Sequence, residues 1–485
     1  MRAARCRTIL PLAPTLSLAL ALLAAAASAQ APGEVLWSIP LDSQVSTAAP
    51  AVAPDGTIYI HSGDLVAISP DGTVLWSQPI GDAKSVDIGD DGTVYAGAGM
   101  TIFAFDPAGS ELWRFTEPPG GQGLMAGPTQ GPDGNIYAVT DGGGLGALAL
   151  SPEGDLLWNV PGFVNTGGTG NTPAPVTGER LYFAEDFAPS CGPLAEGLAG
   201  VSLDGDLLWC VSISGVARPV ASPTGNAHLH DFGALYTYGP DGDVVWSFAF
   251  PFPSGTLIGP SVGPDGTVYI FHNFIDLWSF TADGDERWTN TDLPAGNFPV
   301  VPAIAPDNAS VVVGTVFSFG VNGSIYAVDA SDGALLWSLP ISGPSAGAAG
   351  PAAFSPGGSV AYVPLTSIGG GNQLLAIQVR EGGETPMLAA GGVCPGTVDF
   401  SLSGFTPNGR AQVYVGRDQG STTLTTGPCA GTVLDLANAR RMVNAILDAG
   451  GEATVSRDAT GSLCGRPAQA LDLTTCALSN LATMP

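Results

Sequence analysis

"ISPDGTVLW", Ile68 to Trp76, joins a Pro-Asp-Gly turn to a short apolar run that ends in tryptophan. The phrase returns as "FDPAGSELW", "LSPEGDLLW", "VSLDGDLLW", "YGPDGDVVW", "FTADGDERW" and "DASDGALLW", and in shortened form as "GEVLW" near the start. In each, a tryptophan stands four residues after a glycine, giving Trp37, Trp76, Trp113, Trp158, Trp209, Trp246, Trp288 and Trp337. The spacings of 39, 37, 45, 51, 37, 42 and 49 residues fall in the range of propeller blades.

A second phrase lies between the tryptophans. "APDGTIYI", "GDDGTVYA", "GPDGNIYA" and "GPDGTVYI" place an Asp-Gly or Asn-bearing turn before alternating β-branched and aromatic residues. This is a hairpin signal, with Asp-Gly supplying positive φ angles and alternation burying one strand face. Short runs such as "AAPAV", "IGPSV", "VVPAI" and "AGPAA" precede several of these phrases and suit an innermost strand that starts near proline. One unit is therefore four strands. Such a sheet leaves both faces wet unless neighbours cover it, so the units are expected to pack around an axis, with each indole filling the gap between two wedges.

The count predicts its own closure. After Trp337, "GPAAFSPGGSVAYV" and "NQLLAIQV" supply three strands without a final Gly-x-x-x-Trp, whereas "GEVLW" is an outer strand with no blade before it. Joining them completes an eighth blade and removes the open edges of the ring. The expected fold class is all-β: an eight-bladed β-propeller of four-stranded blades closed by the N-terminal strand, followed by a small β-sandwich-like domain.

Bulk composition agrees. Of 485 residues, 45% are hydrophobic and 12% charged, enough apolar material to offset chain entropy. The 68 glycines and 41 prolines follow no Gly-X-Y period and sit between apolar runs, where turns belong. Residues 1–29 read as a secretory signal, with three arginines, an apolar stretch and an Ala-Ser-Ala end. Gln30 follows, so no lipobox is expected, and no other apolar run is long enough to span a bilayer. The expectation is a monomer exported through the inner membrane, extracellular or periplasmic and not a lipoprotein. The formal charge of −28 repels phosphate backbones and excludes nucleic acid as a partner.

The run of alanine, any residue, aspartate, then glycine and tryptophan in "AFDPAGSELW" (Ala104–Trp113) and "AVDASDGALLW" (Ala327–Trp337) resembles the repeat of the pyrroloquinoline-quinone (PQQ) type β-propeller family. The resemblance covers about residues 33–380 and implies the fold more than an activity. The family includes quinoprotein dehydrogenases, the propeller lipoprotein of the outer-membrane β-barrel assembly machinery, and secreted proteins with no known cofactor. The dehydrogenase branch implies an adjacent cysteine pair, a calcium held by Glu, Asn and Asp, and a catalytic aspartate. Here no cysteines are adjacent, and Asp87 in "SVDI" is the one acid placed on a presumed inner strand, too few oxygens for calcium. The assembly-lipoprotein branch implies a lipid-anchoring cysteine that this sequence lacks.

Other constellations are weak. The pairs Asp204 and Asp206, Asp241 and Asp243, and Asp283 and Asp285 are read as turn chemistry, with Asp bonding its own backbone. "HLH" puts His228 and His230 on one strand face, half a zinc site without a third ligand. "DGGGLG" lacks the strand–helix setting of a phosphate loop. Aromatics concentrate at Phe252, Phe271, His272, Phe274 and Trp278, the candidate ligand-binding residues, with interblade packing as the alternative.

The domain division is 30–385 for the propeller and 386–485 for a C-terminal module without tryptophan. In an exported chain, Cys394, Cys429, Cys464 and Cys476 suggest two disulfides with three possible connectivities; a Cys394–Cys429 bridge would span 35 residues. Cys191 and Cys210 are the candidate pair in the propeller. In the module, "CPGTVDFSLSGFTPNGRAQVYVG" and "MVNAILDAGGEATVS" read as hairpins, and "LANARRMVNAIL" as a possible short helix. It resembles small cysteine-bearing C-terminal domains of secreted bacterial proteins, whose role could be adhesion, sorting or a stabilising cap. The expected function is a non-catalytic scaffold presenting loops to a protein or glycan, with no cofactor; the alternative is an oxidoreductase using PQQ and calcium.

Overall fold

The computed structural model describes residues 31–485 apart from 42–48, 82, 120–123, 141–144, 161–173, 176–179, 187–195, 214–218, 232, 252–256, 275, 294–297, 317–321, 343–345, 368–370, 380–386, 406–408, 425–428, 430–431, 448–451 and 474–477. The signal at 1–29, the 385/386 boundary, Cys191, Cys476 and Phe252 therefore lie outside the described residues. Every described element is a strand. No helix among them is long and apolar enough to cross a membrane.

Eight antiparallel sheets follow one another along the chain. Blade 1 runs from the inner strand Ala51–Val52 through Ile58–Ser62 and Asp64–Ile68 to the outer strand Val74–Gln78. Blades 2 to 7 repeat that order, ending at the outer strands Glu111–Thr116, Leu156–Val160, Leu207–Ser212, Val244–Ala249, Glu286–Asn290 and Leu335–Pro340. Blade 8 combines Val360–Ser367 and Gln373–Gln378 with the N-terminal strand Val35–Pro40, which pairs antiparallel with Gln373–Gln378 as its outer strand. Its inner strand is split by Pro351 into Ala346–Ala348 and Ala353–Phe354. Ala353–Phe354 touches Ala51–Val52, so the ring closes where the orphan strand predicts.

The turns depart from the expected pattern in one respect. Gly56, Gly72 and their counterparts have φ near +85°, but the preceding aspartates do not. Most are thus type I turns closed by a left-handed glycine, not turns with two left-handed residues, and at Gly333 the N–H reaches back four residues to the Asp329 carbonyl in a wider turn. A separate one-residue bulge interrupts each outer strand just before its tryptophan, as at Leu75 between Val74 and Trp76 and at Leu112 between Glu111 and Trp113. Two inner-strand prolines sit at irregularities, Pro128 between Ala126 and Thr129 and Pro260, after a cis peptide, between Ile258 and Ser261, where no ladder donor is lost.

The tryptophans hold the seams. Each indole N–H donates to a backbone carbonyl of the next blade at 2.6–3.1 Å, in a turn for seven of them, from Trp37 to Pro70 and Trp76 to Pro107, and just past the end of the third strand for Trp337, which donates to Val379. The turn glycine lies against the indole of the preceding blade: Gly72 on Trp37, Gly109 on Trp76, Gly154 on Trp113, Gly33 on Trp337. Inside its own blade seven of the eight indoles meet a second-strand ring, as in Tyr59–Trp76, Tyr95–Trp113 and Tyr269–Trp288, with centroids 5.7–5.9 Å apart, while Trp337 has Val312 at that position.

Seven C-terminal strands form two stacked sheets, Met387–Gly392/Gly396–Ser403/Ala453–Ala459 and Arg440–Ile446/Arg410–Val415/Pro467–Asp472/Leu478–Thr483, and Asp418–Thr423 pairs with Val433–Ala437 in a third. Val398, Phe400 and Leu402 of one interdigitate with Ala411, Val413 and Ala468 of the other, a sandwich core. The two expected hairpins are instead crossovers between the sheets, because Gly396–Ser403 and Arg410–Val415 lie in different sheets, as do Arg440–Ile446 and Ala453–Ala459. The possible helix is two strands, Val433–Ala437 and Arg440–Ile446, turned at Asn438 with φ 51°. Leu434 and Leu436, two residues apart on the first, share a covered face, which a strand allows and a helix does not.

Cys394 bonds Cys464, not Cys429, across 70 residues. Cys210 and Cys429 are also in disulfides. Replacing Cys394 and Cys464 by serine is expected to destabilise the C-terminal sheets by about 4 kcal/mol through regained chain entropy. The module has no tryptophan. A melt followed by far-UV circular dichroism should therefore gain an early step that tryptophan fluorescence does not see.

Candidate functional site

Antiparallel pairing gives the ring two unlike ends. Connections from inner to second strand and from third to outer strand leave at one end, and all others at the opposite end. The first end is made of short turns, and several of their polar side chains are occupied within the turn. Asp55, Asp91 and Asp265 each accept the N–H two residues ahead at 2.9 Å. At two of the doubled aspartates the cap is instead a preceding hydroxyl: the Asp206 and Asp285 N–H groups donate to Ser202 Oγ and Thr281 Oγ1. Asp241 meets Arg180 at 3.3 Å. The doubled aspartates sit in turns, capped at two of the three by neighbouring hydroxyls and not by their own carboxylates.

The second end carries the longer connections, such as Val160 to Ala174 and Asp186 to Glu196. Four of the five candidate aromatics can be located there or just beneath. Phe271 is fully buried with Leu277, Val311 and Val313 between blades 6 and 7. His272 is buried, stacks on Phe250 at 5.0 Å and lies 3.6 Å from Asp276. Trp278 packs against Phe248, Phe250 and Phe280 between blades 5 and 6, its indole N–H buried without an acceptor. These three are placed by packing.

Phe274 differs. It is half-buried, in the connection from Val268–His272 to Asp276–Phe280, at φ 65° behind Asn273 at 54°. A bulky side chain in the left-handed region is an outlier that costs about 1–2 kcal/mol and concentrates at functional sites. Its ring meets Phe298 edge-on at 4.5 Å, and Phe298 is 38% exposed. The sequence reading missed Phe298. Its signal was an isolated aromatic before proline in a loop, "GNFPV", outside the repeat.

The axis offers few donors. The inner strands of blades 2 and 3 touch so closely that a Cβ on Gly127 would fall 1.0 Å from Ser85 Oγ. Asp87 is half-buried, and its Oδ2 accepts the Gln130 backbone N–H at 2.9 Å. Burial raises its carboxyl above the ordinary value, against the opposing pull of the Gln130 and Ile88 amides. Among the described residues no three of His, Cys, Asp and Glu gather as metal ligands. His228 and His230 share a face but are spent separately, on Thr237 Oγ1 at 2.8 Å and on the Asp231 carbonyl at 2.9 Å.

Comparison with known proteins gives one family. The family model described as outer membrane protein assembly factor BamB matches residues 24–172 and 194–390. No curated protein matches the chain in sequence. Among solved structures, the C-terminal WD40 domain of Sif2 superposes with a TM-score of 0.56 at 11% identity, covering 72% of this chain and 98% of that one. The Dos1 propeller gives 0.51 at 12% identity, covering 71% and 95%. At such identities the likeness is one of fold.

Proposed function

The chain belongs to the BamB-like family of PQQ-repeat β-propellers, and from that membership we propose that it is a non-catalytic scaffold whose loop end binds a protein or a glycan. The observation that carries the reading is Phe274, held half-exposed against Phe298 in a conformation costly for phenylalanine. Such strain has no folding purpose that a glycine would not serve better. The site is the pair Phe274 and Phe298, in the connections that follow the second and the outer strand of blade 6. The disulfides indicate an oxidising compartment. Export by the segment at 1–29, a monomeric state and a separate module at 386–485 belong to the same proposal.

The quinone alternative finds little support in the donor set. The inner strands offer mostly Ala, Val, Gly, Pro and Ser, and Asp87 is committed to an amide, whereas calcium takes six to eight oxygens. Calorimetry with PQQ and calcium is expected to give no heat; micromolar, calcium-dependent binding would overturn the non-catalytic reading.

The positive test uses arrays of polysaccharides and displayed peptides, probed with the wild type and Phe274→Gly. The glycine variant is expected to melt at or above the wild-type temperature, because relief of about 1 kcal/mol of strain offsets the lost ring contact. It should lose at least tenfold in affinity for whatever class the wild type retains. Equal binding by both proteins would remove the loop end from consideration.

A further inference from the structure

Position for position, the second strands of six blades carry a tyrosine beside the tryptophan, namely Tyr59, Tyr95, Tyr137, Tyr182, Tyr269 and Tyr362, and blade 7 has Val312 there. In blade 5 that position is His228, 5.9 Å from Trp246. Its cross-strand neighbour differs too. Where blades 1, 2 and 3 have Ala67, Ala104 and Ala149, blade 5 has Thr237. A large–small pair has become a medium–medium pair, and the two residues are bonded through His228 Nδ1.

The exchange leaves one nitrogen stranded. His228 is 1% exposed, and its Nε2 is buried with no hydrogen-bond partner. Apolar groups fill this seam, including Phe250, Val268, Ile270 and Phe280. The inner strands Val220–Ala221 and Leu257–Val262 and the outer strand Val244–Ala249 carry no titratable side chain. On Ala234–Tyr238, Tyr236 and Tyr238 join the cluster between blades 4 and 5. On Val268–His272, Tyr269 joins the one between blades 6 and 7. That leaves His230 on the same strand, Asp231 bonded to the Gly233 and Ala234 amides, and His272 beside Asp276. Three of the four histidines thus fall on one seam.

We propose that the seam between blades 5 and 6 is an acid-responsive joint, opened before the other seven when a proton is forced onto His228. A second ring N–H would have no acceptor and no counter-charge within the apolar seam. Burial alone pushes the imidazole down to about 4 from its ordinary 6.5. The sign follows: the neutral ring is the folded form, so the seam has its full stability above pH 6.5 and loses it as the pH falls toward 4.

Hydrogen exchange of the full chain at pH 7 and pH 5, corrected for intrinsic rates, tests this. The opening constant of Ala227–His230 and Val268–His272 is expected to rise by roughly twenty-fold, and that of Val94–Ala98 and Ile136–Thr140 by less than about threefold. His228→Gln should remove most of the difference, leaving the smaller share of His230, whose imidazole burial also lowers. If that variant does not fold, His228→Tyr with Thr237→Ala restores the pair used elsewhere and should remove as much. A uniform loss of protection over all seams, or a folded variant that keeps the full acid response, would overturn the proposal.

Discussion

Removal of the strand Val35–Pro40 should cost the propeller more than about 5 kcal/mol, most of the margin by which a typical domain is folded. The segment closes the ring from both sides. It pairs with Gln373–Gln378 along its length, which covers an otherwise open edge. Trp37 leaves blade 8 to meet Gly72 and the Pro70 carbonyl of blade 1. Gly33 in turn receives Trp337 from blade 7, and Trp337 is only 8% exposed. Losing one segment thus empties two seams. A chain beginning after Pro40 is expected to show an early, broad melt by tryptophan fluorescence. A synthetic peptide spanning Ala31–Leu41, added in trans, should restore the sharp transition. A truncated protein with an unchanged melt would mean that the ring does not depend on its closing strand.

The second large effect separates two demands placed on the turn glycines. Gly134 and Gly154 have nearly the same backbone, at φ 83° and 88°. A Cβ at Gly134 would meet nothing within 4 Å, whereas one at Gly154 would lie 2.6 Å from the Trp113 ring. Gly134→Ala should therefore cost only the left-handed penalty, about 1–2 kcal/mol. Gly154→Ala adds overpacking of a rigid indole, for a total of about 3–5 kcal/mol. Urea denaturation of both variants gives the difference. Combining Gly154→Ala with Trp113→Ala should cost less than the sum of the two, since each relieves the other's fault. Equal costs for the two glycine variants would show that the indole yields freely.

Much of this architecture is legible along the chain. Turn, apolar run and tryptophan are local, and their spacing counts the blades. The leftover strand at each end of the repeat predicts closure, because an unpaired edge is unfavourable wherever the ring is cut. What the repeat hides is its pairing. Gly72 and Trp76 stand in one phrase, yet Gly72 serves Trp37 and Trp76 serves Gly109. Partnership passes to the next blade because each bulged outer strand directs its indole across the seam, and that direction is set by sheet stacking.

The candidate site shows the same limit. An aromatic-rich stretch marked blades 5 and 6, but nothing in it separates Phe271, fully buried in a seam, from Phe274, half-buried at a turn. They lie three residues apart, and the chain reversal between them decides which one meets solvent. Cys394 likewise had three possible partners, and the crossover between two sheets brought it to Cys464. The sequence by itself determined what recurs: strand number, turn position and ring closure, because these follow from local conformational preference and from edges that must be covered. Only the tertiary structure decided which side chains meet across a seam, which aromatic reaches the surface and which histidine is stranded, because those depend on how separate sheets are stacked.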